Sequence, residues 1–307
     1  MADPTPLPRG VIAAALTPMG PELKPDHDAF VAHGRWLLDN GCDGLCVLGT
    51  TGEANSLSLD DRLALIDTAT AALPPERLIV GTGSCALSDA VRLTRASLSH
   101  DVPHVLMLSP FYYKPITDDG VFRFFAALIE AVGDPALRIY LYNFPAMTTH
   151  SFGVDVVQRL KAAFGDVIAG MKDSSGDWAH MTEMCGVDDF AVYTGTERYL
   201  LDILKIGGAG CITAPANVLA PECQAVYAAW RDGGDAEGAQ ARLTALREAV
   251  EAYPGVPALK GLLAHWTGDP RWHHLLPPFA PLADDQVAAL ARQLDALGHQ
   301  PARAAAS

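Results

Sequence analysis

An α/β fold, a closed parallel (β/α)8 barrel followed by a helical appendix, is predicted by three features of this 307-residue sequence. Short apolar runs alternate eight times with longer segments of helical periodicity. The strand-like runs are apolar throughout, as parallel strands covered on both faces must be. The last quarter of the chain reads as helix alone. An open doubly wound sheet would also alternate, but Gly207-Gly208-Ala209-Gly210 precedes a strand instead of following one, and no dinucleotide fingerprint is present.

The candidate strands are 11–16, 44–48, 78–81, 104–108, 138–142, 167–171, 190–193 and 210–213. The helix-like stretches between them are 26–40, 58–72, 88–99, 118–132, 151–164, 179–184 and 197–206. Ser58, with Asp61 three residues on, and Ser88-Asp89 read as N-caps, while Asn40-Gly41 reads as a helix stop. Residues 1–220 would form the barrel. Residues 221–307 would form the appendix, with helices at 221–231, 236–253, 256–266 and 283–297. The Ala-rich tail from Gly298 has no core to join and is expected to fray.

Half the residues are hydrophobic and only 19% are charged, so a large core can be built. The net charge of −14, from 22 basic and 36 acidic residues, argues against a nucleic-acid surface. It leaves room for an anionic substrate, because a local site can differ in sign from the whole. Six cysteines, at 42, 46, 85, 185, 211 and 223, form no close pairs and read as buried free thiols in a reducing compartment. The N-terminus has no apolar signal core, and the run 11–16 is too short to cross a bilayer. A cytoplasmic protein without membrane contact is expected.

In such a barrel, chemistry belongs at the C-terminal ends of the strands. Lys172, at the end of the sixth run, is one of six lysines. An apolar site favours a lysine's neutral amine, which attacks a ketone to form an imine. Alternatively the side chain carries its charge out through the barrel mouth. Lys114, the other lysine near a strand end, sits in a Pro-flanked loop and is expected to face solvent. Tyr142 ends the neighbouring run and can share the mouth with Lys172, passing protons or merely filling the barrel. Gly49-Thr50-Thr51-Gly52 offers hydroxyls and backbone N–H groups to an anion, or is simply a tight turn. The histidines, including His273-His274, fall mostly in helices and the appendix, so no metal site or cofactor is expected.

Gly49-Thr-Thr-Gly-Glu53, Tyr112 within Pro-Phe-Tyr-Tyr-Lys-Pro, Tyr142-Asn-Phe-Pro145 and Gly170-Met-Lys-Asp173 stand in a familiar order and spacing. As a set they resemble the dihydrodipicolinate synthase/N-acetylneuraminate lyase family, over about residues 10–297. The resemblance implies a TIM barrel whose Lys172 forms a Schiff base with pyruvate or a related 2-oxo acid, without a cofactor. It implies that Tyr142 shuttles protons and that Thr50 links it to Tyr112. In many members that second tyrosine enters an adjacent subunit's site, which implies a homodimer or homotetramer. Gly49 and Thr51 match the turn that holds the substrate carboxylate, and Ile212 matches a wall beside the pyruvyl group.

One departure bears on the substrate. Synthases resembling this chain carry an arginine shortly after the Tyr-Asn-x-Pro motif, gripping the second substrate's distal carboxylate. Met147 stands there, and methionine cannot make that bidentate contact. Ser174 and Glu197 fall where sugar-acid members of the family place hydroxyl-binding groups, though an N-cap serine and a first-turn glutamate would look the same. The expectation is an aldolase or lyase joining or cleaving pyruvate and an aldehyde, acting on a 2-keto-3-deoxy sugar acid or similar. The alternatives are a dehydratase using the same imine and a 4-hydroxy-tetrahydrodipicolinate synthase. A metal-dependent aldolase would need histidines and carboxylates clustered at strand ends. A keto-acid sensor would not need a nucleophile.

Overall fold

The computed structural model describes residues 9–301. Eight parallel strands close into a TIM barrel in sequence order, with the eighth paired to the first. They are β1 (Gly10–Ala14), β2 (Gly44–Val47), β3 (Leu78–Gly81), β4 (His104–Leu108), β5 (Arg138–Asn143), β6 (Ile168–Asp173), β7 (Ala191–Thr194) and β8 (Gly210–Thr213). The helices of the barrel part are α1 (His27–Asp39), α2 (Leu59–Ala72), α3 (Leu87–Ser99), α4 (Asp118–Val132), the short α5 (Pro145–Thr148), α6 (Val154–Phe164), α7 (Trp178–Cys185) and α8 (Leu200–Lys205). Then come α9 (Ala216–Asp232), α10 (Ala236–Glu251), α11 (Gly255–Thr267) and α12 (Asp284–Ala296). The expected boundary at residue 220 falls inside α9, which kinks at Leu219, just before Pro221.

Strand alternation sorts the core into two layers. Ile12, Ala14, Cys46, Ile79, Leu106, Tyr140, Tyr142, Tyr193 and Ile212 fill the barrel interior. Their neighbours Val11, Ala13, Ile139, Leu141, Met171 and Cys211 pack outward beneath the helices. Gly170 makes the interior fit. A Cβ there would stand 2.2 Å from the Ala191 carbonyl and 2.8 Å from the Tyr140 ring. Its absence leaves room for Tyr140, which meets Tyr193 edge to face at 6.0 Å.

Local signals place most helix ends. Ser58 caps α2 by accepting the Asp61 N–H at 3.1 Å, and Asn40 ends α1 before Gly41 at φ +115°. Ser88 is not a cap. A turn begun by Ser84, whose Oγ accepts the Ala86 N–H at 3.2 Å, starts α3 at Leu87. The tail is ordered further than its composition suggests. His299 is buried, donates to Glu222 at 2.8 Å and lies against Trp266, while Arg242 holds the Gly298 carbonyl at 2.6 Å. Residues 1–8 and 302–307, including most of that tail, lie outside the described residues.

All six cysteines are free; Cys42, Cys46, Cys211 and Cys223 are buried, whereas Cys85 is exposed and Cys185 half-buried. No helix among the described residues is long and apolar enough to cross a membrane.

Candidate active site

Lys172 lies within β6, in register with Tyr142 of β5 on one side and Tyr193 of β7 on the other. Side chains in register on neighbouring parallel strands point to the same face, here the interior. Lys172 is 5% exposed and Tyr142 is also 5% exposed. The Lys172 Nζ donates to the Tyr142 Oη at 3.2 Å and stands 4.3 Å from the centre of its ring. The Phe144 ring stacks on the Tyr142 ring, with centroids 5.5 Å apart and planes 26° apart. An amine and a phenol in hydrogen-bond contact inside an apolar barrel can carry out nucleophilic attack and proton transfer at one carbon.

The turn after β2 forms the next wall. Leu48 adopts φ +58°, a left-handed conformation that costs a β-carbon-bearing residue about 1–3 kcal/mol. Gly49 is then buried, and its carbonyl accepts the Gly52 N–H at 3.1 Å. Gly81 at the end of β3 permits the bend, since a Cβ there would meet the Leu48 carbonyl oxygen at 2.1 Å. A narrow cavity at this end is bounded by Gly49, Thr50, Arg62, Leu108 and Tyr142 among others. Thr50 thus lines the same cavity as Tyr142, and Thr51 is buried within the same turn.

Arg62 gives this end of the barrel a positive charge. It comes from α2 and donates to the carbonyls of Gly81 and Gly83, each at 3.1 Å. Burial pushes its guanidinium down to about 10, with Asp89 acting in the opposite direction, so it stays charged at neutral pH. The sequence does signal it: Arg62 shares the buried stripe of α2 with Leu65, Ile66 and Ala69. A charged residue on an apolar stripe needs a partner.

Glu53, the last residue of the Gly-Thr-Thr-Gly-Glu run, faces the appendix. Its carboxylate pairs with Lys260 of α11, both side chains being fully buried, and accepts the Leu276 N–H at 2.7 Å. Lys260 also donates to the His274 carbonyl at 2.9 Å. Burial lowers the Lys260 ammonium, and the charge of Glu53 and its hydrogen bond oppose that shift. Lys260, and not the exposed Lys114, is therefore a second lysine withdrawn from solvent.

The remaining expected residues separate into two groups. Ile212 faces the same barrel interior as Tyr142, and Ser174 is half-buried directly after β6, its N–H bonded to the Asn143 carbonyl at 2.8 Å. Met147 stands on α5 at the rim, 54% exposed. Tyr112 is 74% exposed in the loop after β4 and meets Tyr113 edge to face at 5.2 Å. Glu197 is not at the mouth. Its carboxylate accepts from Thr213 Oγ1, lies 3.5 Å from Arg247 of α10, and is completely buried. Alternation on β8 explains this, because Ile212 faces inward and Thr213 therefore faces the helices, drawing Glu197 into the outer layer. Among the described residues no cluster of three or more His, Cys, Asp and Glu forms a metal-binding group.

The sequence profile of the Dihydrodipicolinate synthetase family matches residues 7–297. An uncharacterized DapA-like lyase of Chloroflexus aurantiacus is 37% identical over 287 residues, covering 92% of this chain and 95% of that protein. The 4-hydroxy-tetrahydrodipicolinate synthase of Acidiphilium cryptum is 32% identical, with 94% and 98% covered. The crystal structure of dihydrodipicolinate synthase from Agrobacterium tumefaciens superposes with a TM-score of 0.86 at 33% identity, covering 94% of this chain and 99% of that one. A prophage protein of the same family from E. coli K12, solved in complex with pyruvate, gives 0.85 at 27% identity, with 94% and 98% covered. The chain belongs to the dihydrodipicolinate synthetase family of class I, Schiff-base-forming lyases and aldolases.

Proposed function

We propose that this enzyme cleaves or forms a C–C bond between pyruvate and an aldehyde through an imine on Lys172. The observation that carries this reading is the 3.2 Å contact of Lys172 Nζ with Tyr142 Oη inside the barrel. The amine adds to the C2 carbonyl of the 2-oxo acid, giving a carbinolamine. Tyr142 delivers a proton to its hydroxyl, which leaves as water, and a protonated imine and a phenolate remain. The phenolate takes the C4 hydroxyl proton while the C3–C4 bond breaks and its electron pair moves into the imine. An aldehyde and an enamine result; protonation at C3 and hydrolysis return pyruvate and the free amine. Gly49 and Thr51 are assigned to the substrate carboxylate, Thr50 to the proton path, and the Ile212 backbone to the wall beside C3. The positive charge of Arg62 supports an anion at this end.

The rim supports a particular substrate class. Met147 cannot grip a second carboxylate, and the Ser174 position, half-buried after β6, suits a hydroxyl. A 2-keto-3-deoxy sugar acid or a similar hydroxylated 2-oxo acid fits both, cleaved as an aldol or dehydrated through the same imine. Glu197 is withdrawn from this role by its burial. Relatives named 4-hydroxy-tetrahydrodipicolinate synthase at 29–32% identity favour that activity as a second reading. The exposed Tyr112 suits a residue shared between subunits of a homodimer or homotetramer, and the buried free thiols suit the cytoplasm.

Borohydride reduction in the presence of pyruvate, followed by peptide mass mapping, tests the imine. The expected adduct is on Lys172 and is lost in Lys172→Ala. An adduct elsewhere, or a Lys172→Ala enzyme of undiminished activity, refutes the assignment. Products from a panel of 2-keto-3-deoxy acids then decide the substrate: pyruvate plus an aldehyde marks aldol cleavage, and a dioxo or semialdehyde product marks dehydration.

A further inference from the structure

Directly after the two interior residues Tyr142 and Lys172, β5 and β6 continue as Asn143 and Asp173, which are again in register. Alternation turns these two away from the interior, and both are completely buried. Asn143 Oδ1 accepts the Phe152 N–H at 3.2 Å and the Ser151 hydroxyl at 3.2 Å. Asp173 Oδ1 accepts the Ser175 N–H at 2.8 Å and the Ser175 hydroxyl at 2.5 Å. Between them stands His180 of α7. Its Nδ1 bonds to Asp173 Oδ2 and lies 3.4 Å from Asn143 Nδ2, and its Nε2 bonds to the Phe152 carbonyl at 2.7 Å.

The chemistry of these partners favours one state of the ring. A carbonyl oxygen accepts only, so Nε2 must carry hydrogen. Asp173 Oδ1 already accepts two hydrogens from Ser175, which favours the ionised carboxylate. Such a group accepts only, so Nδ1 carries a hydrogen toward Oδ2, and the Asn143 amide at 3.4 Å is its longer, secondary neighbour. His180 is then an imidazolium paired to a carboxylate. Burial works against its charged form, but the Asp173 hydrogen bond, the Phe152 carbonyl and the charges of Asp173 and Asp177 outweigh it and raise its pKa. Burial likewise opposes ionisation of Asp173, and the His180 and Ser175 hydrogen bonds reverse that and hold the carboxyl below its ordinary range. Phe152 is thereby clamped at both backbone atoms, its N–H by Asn143 and its carbonyl by His180. The circuit from β5 through Phe152 and His180 to β6 closes one residue beyond the Tyr142–Lys172 pair.

We propose that His180, as an imidazolium, is a positioning residue for the imine chemistry: its two N–H donors tie Asp173 to the Phe152 carbonyl and so hold Lys172 against Tyr142. It touches no substrate, and it acts through the strand ends. The proposal rests on the assignment of Lys172 as the imine-forming group. Displacing a reacting group by about 1 Å can cost on the order of 100-fold in rate, so a change outside the barrel can reach the chemistry.

The test compares His180→Ala, His180→Gln and His180→Arg with the wild-type enzyme, reading the rate of borohydride-trappable pyruvate adduct on Lys172 together with kcat and KM. Ala removes both donors, Gln keeps the volume without the charge, and Arg supplies a cation with more than one donor. In Ala and Gln, the adduct rate and kcat are expected to fall about 10–100-fold with KM for pyruvate little changed. Arg is expected to restore most of the loss. A variant that merely weakened the fold would lose thermal stability without this kcat-against-KM split, and Arg would have no reason to restore the rate. Should Ala not fold, Gln and Arg decide the matter alone. Wild-type adduct rates in folded Gln, or a loss that Arg leaves uncorrected, overturn the proposal. Absence of any adduct in the wild-type enzyme would instead overturn the imine assignment, so the two failures are distinguishable.

Discussion

The Nζ of Lys172 lies 3.2 Å from the Oη of Tyr142 and 4.3 Å from the centroid of the same ring, so the amine contacts both the hydroxyl and the face of one phenol. The contact follows from register, because Tyr142 and Lys172 are direct partners on adjacent parallel strands. Tyr142→Phe keeps the ring face and removes the proton carrier. A kcat reduction of about 100- to 10,000-fold is expected, the range typical of a lost general acid–base group. Steady-state kinetics with the substrate identified from the 2-keto-3-deoxy acid panel measure it; a loss under fivefold would show that another group moves the proton.

The buried pair of Glu53 and Lys260 gives a stability prediction. Removing one member of a buried ion pair leaves an uncompensated charge and costs about 3–5 kcal/mol. Lys260→Met should lower the urea midpoint accordingly. Adding Glu53→Gln should recover part of the loss, since glutamine is neutral and still accepts the Leu276 N–H. A double variant no more stable than Lys260→Met would mean that the pair's charge is not the issue.

His33 makes the fold acid-sensitive. The Asn217 amide is oriented by its backbone partners, with Oδ1 accepting the Leu16 N–H at 3.0 Å and Nδ2 donating to the Ala14 and Ala214 carbonyls at 2.8 and 2.7 Å. His33 Nε2 must donate to that same Oδ1, at 2.8 Å. Burial lowers His33 from 6.5 to about 4, with the Asn217 hydrogen bond opposing. Its neutral form is therefore favoured by folding: stability is intact above pH 6.5 and lost as pH falls toward 4, by about 3 kcal/mol in all. His180 has the opposite sign, contributing below its unfolded value and losing that contribution as pH rises through the raised folded one. Urea midpoints of wild type and His33→Phe, measured from pH 7 to pH 4.5, should diverge, the variant falling less steeply. Parallel curves would remove His33 as the cause.

Met147→Arg tests the rim. A charged hydrogen bond to a carboxylate is worth roughly 1.5–3 kcal/mol, so 4-hydroxy-tetrahydrodipicolinate formation should rise about 10- to 100-fold in kcat/KM. Native activity already at synthase-like rates would overturn the reading of methionine as a lost carboxylate site.

The barrel was legible because its strands are buried on both faces and so appear as uninterrupted apolar runs. Their ends match the structure to within a few residues, and Lys172 and Tyr142 are visible as polar groups closing two such runs. What local pattern could not supply was the partner. Glu53 reads as one more residue of a turn motif until α11 brings Lys260 to it, 207 residues away. Glu197 follows its strand-end position but not its facing, because the alternation of β8 decides which layer it enters. Three polar residues, His33, Arg62 and Lys260, do announce themselves by lying on buried helical stripes. Their role depends on contacts that no stripe encodes. His299 was missed because an Ala-rich tail carries no periodicity, and its burial comes from Trp266 and Glu222 on other helices.

Asn217 also sets the order in which this molecule can be completed during synthesis. The amide staples the end of β1 to the chain after β8 across 201 residues, at the seam where the barrel closes. At about 5–20 residues per second, β1 emerges on the order of 10–40 seconds before the residues that complete its seam. Throughout that interval Val11 to Ala14 present an open, wholly apolar strand edge to the surroundings. A nascent chain released before β8 should therefore aggregate, whereas one extended through α9 has the means to seal itself.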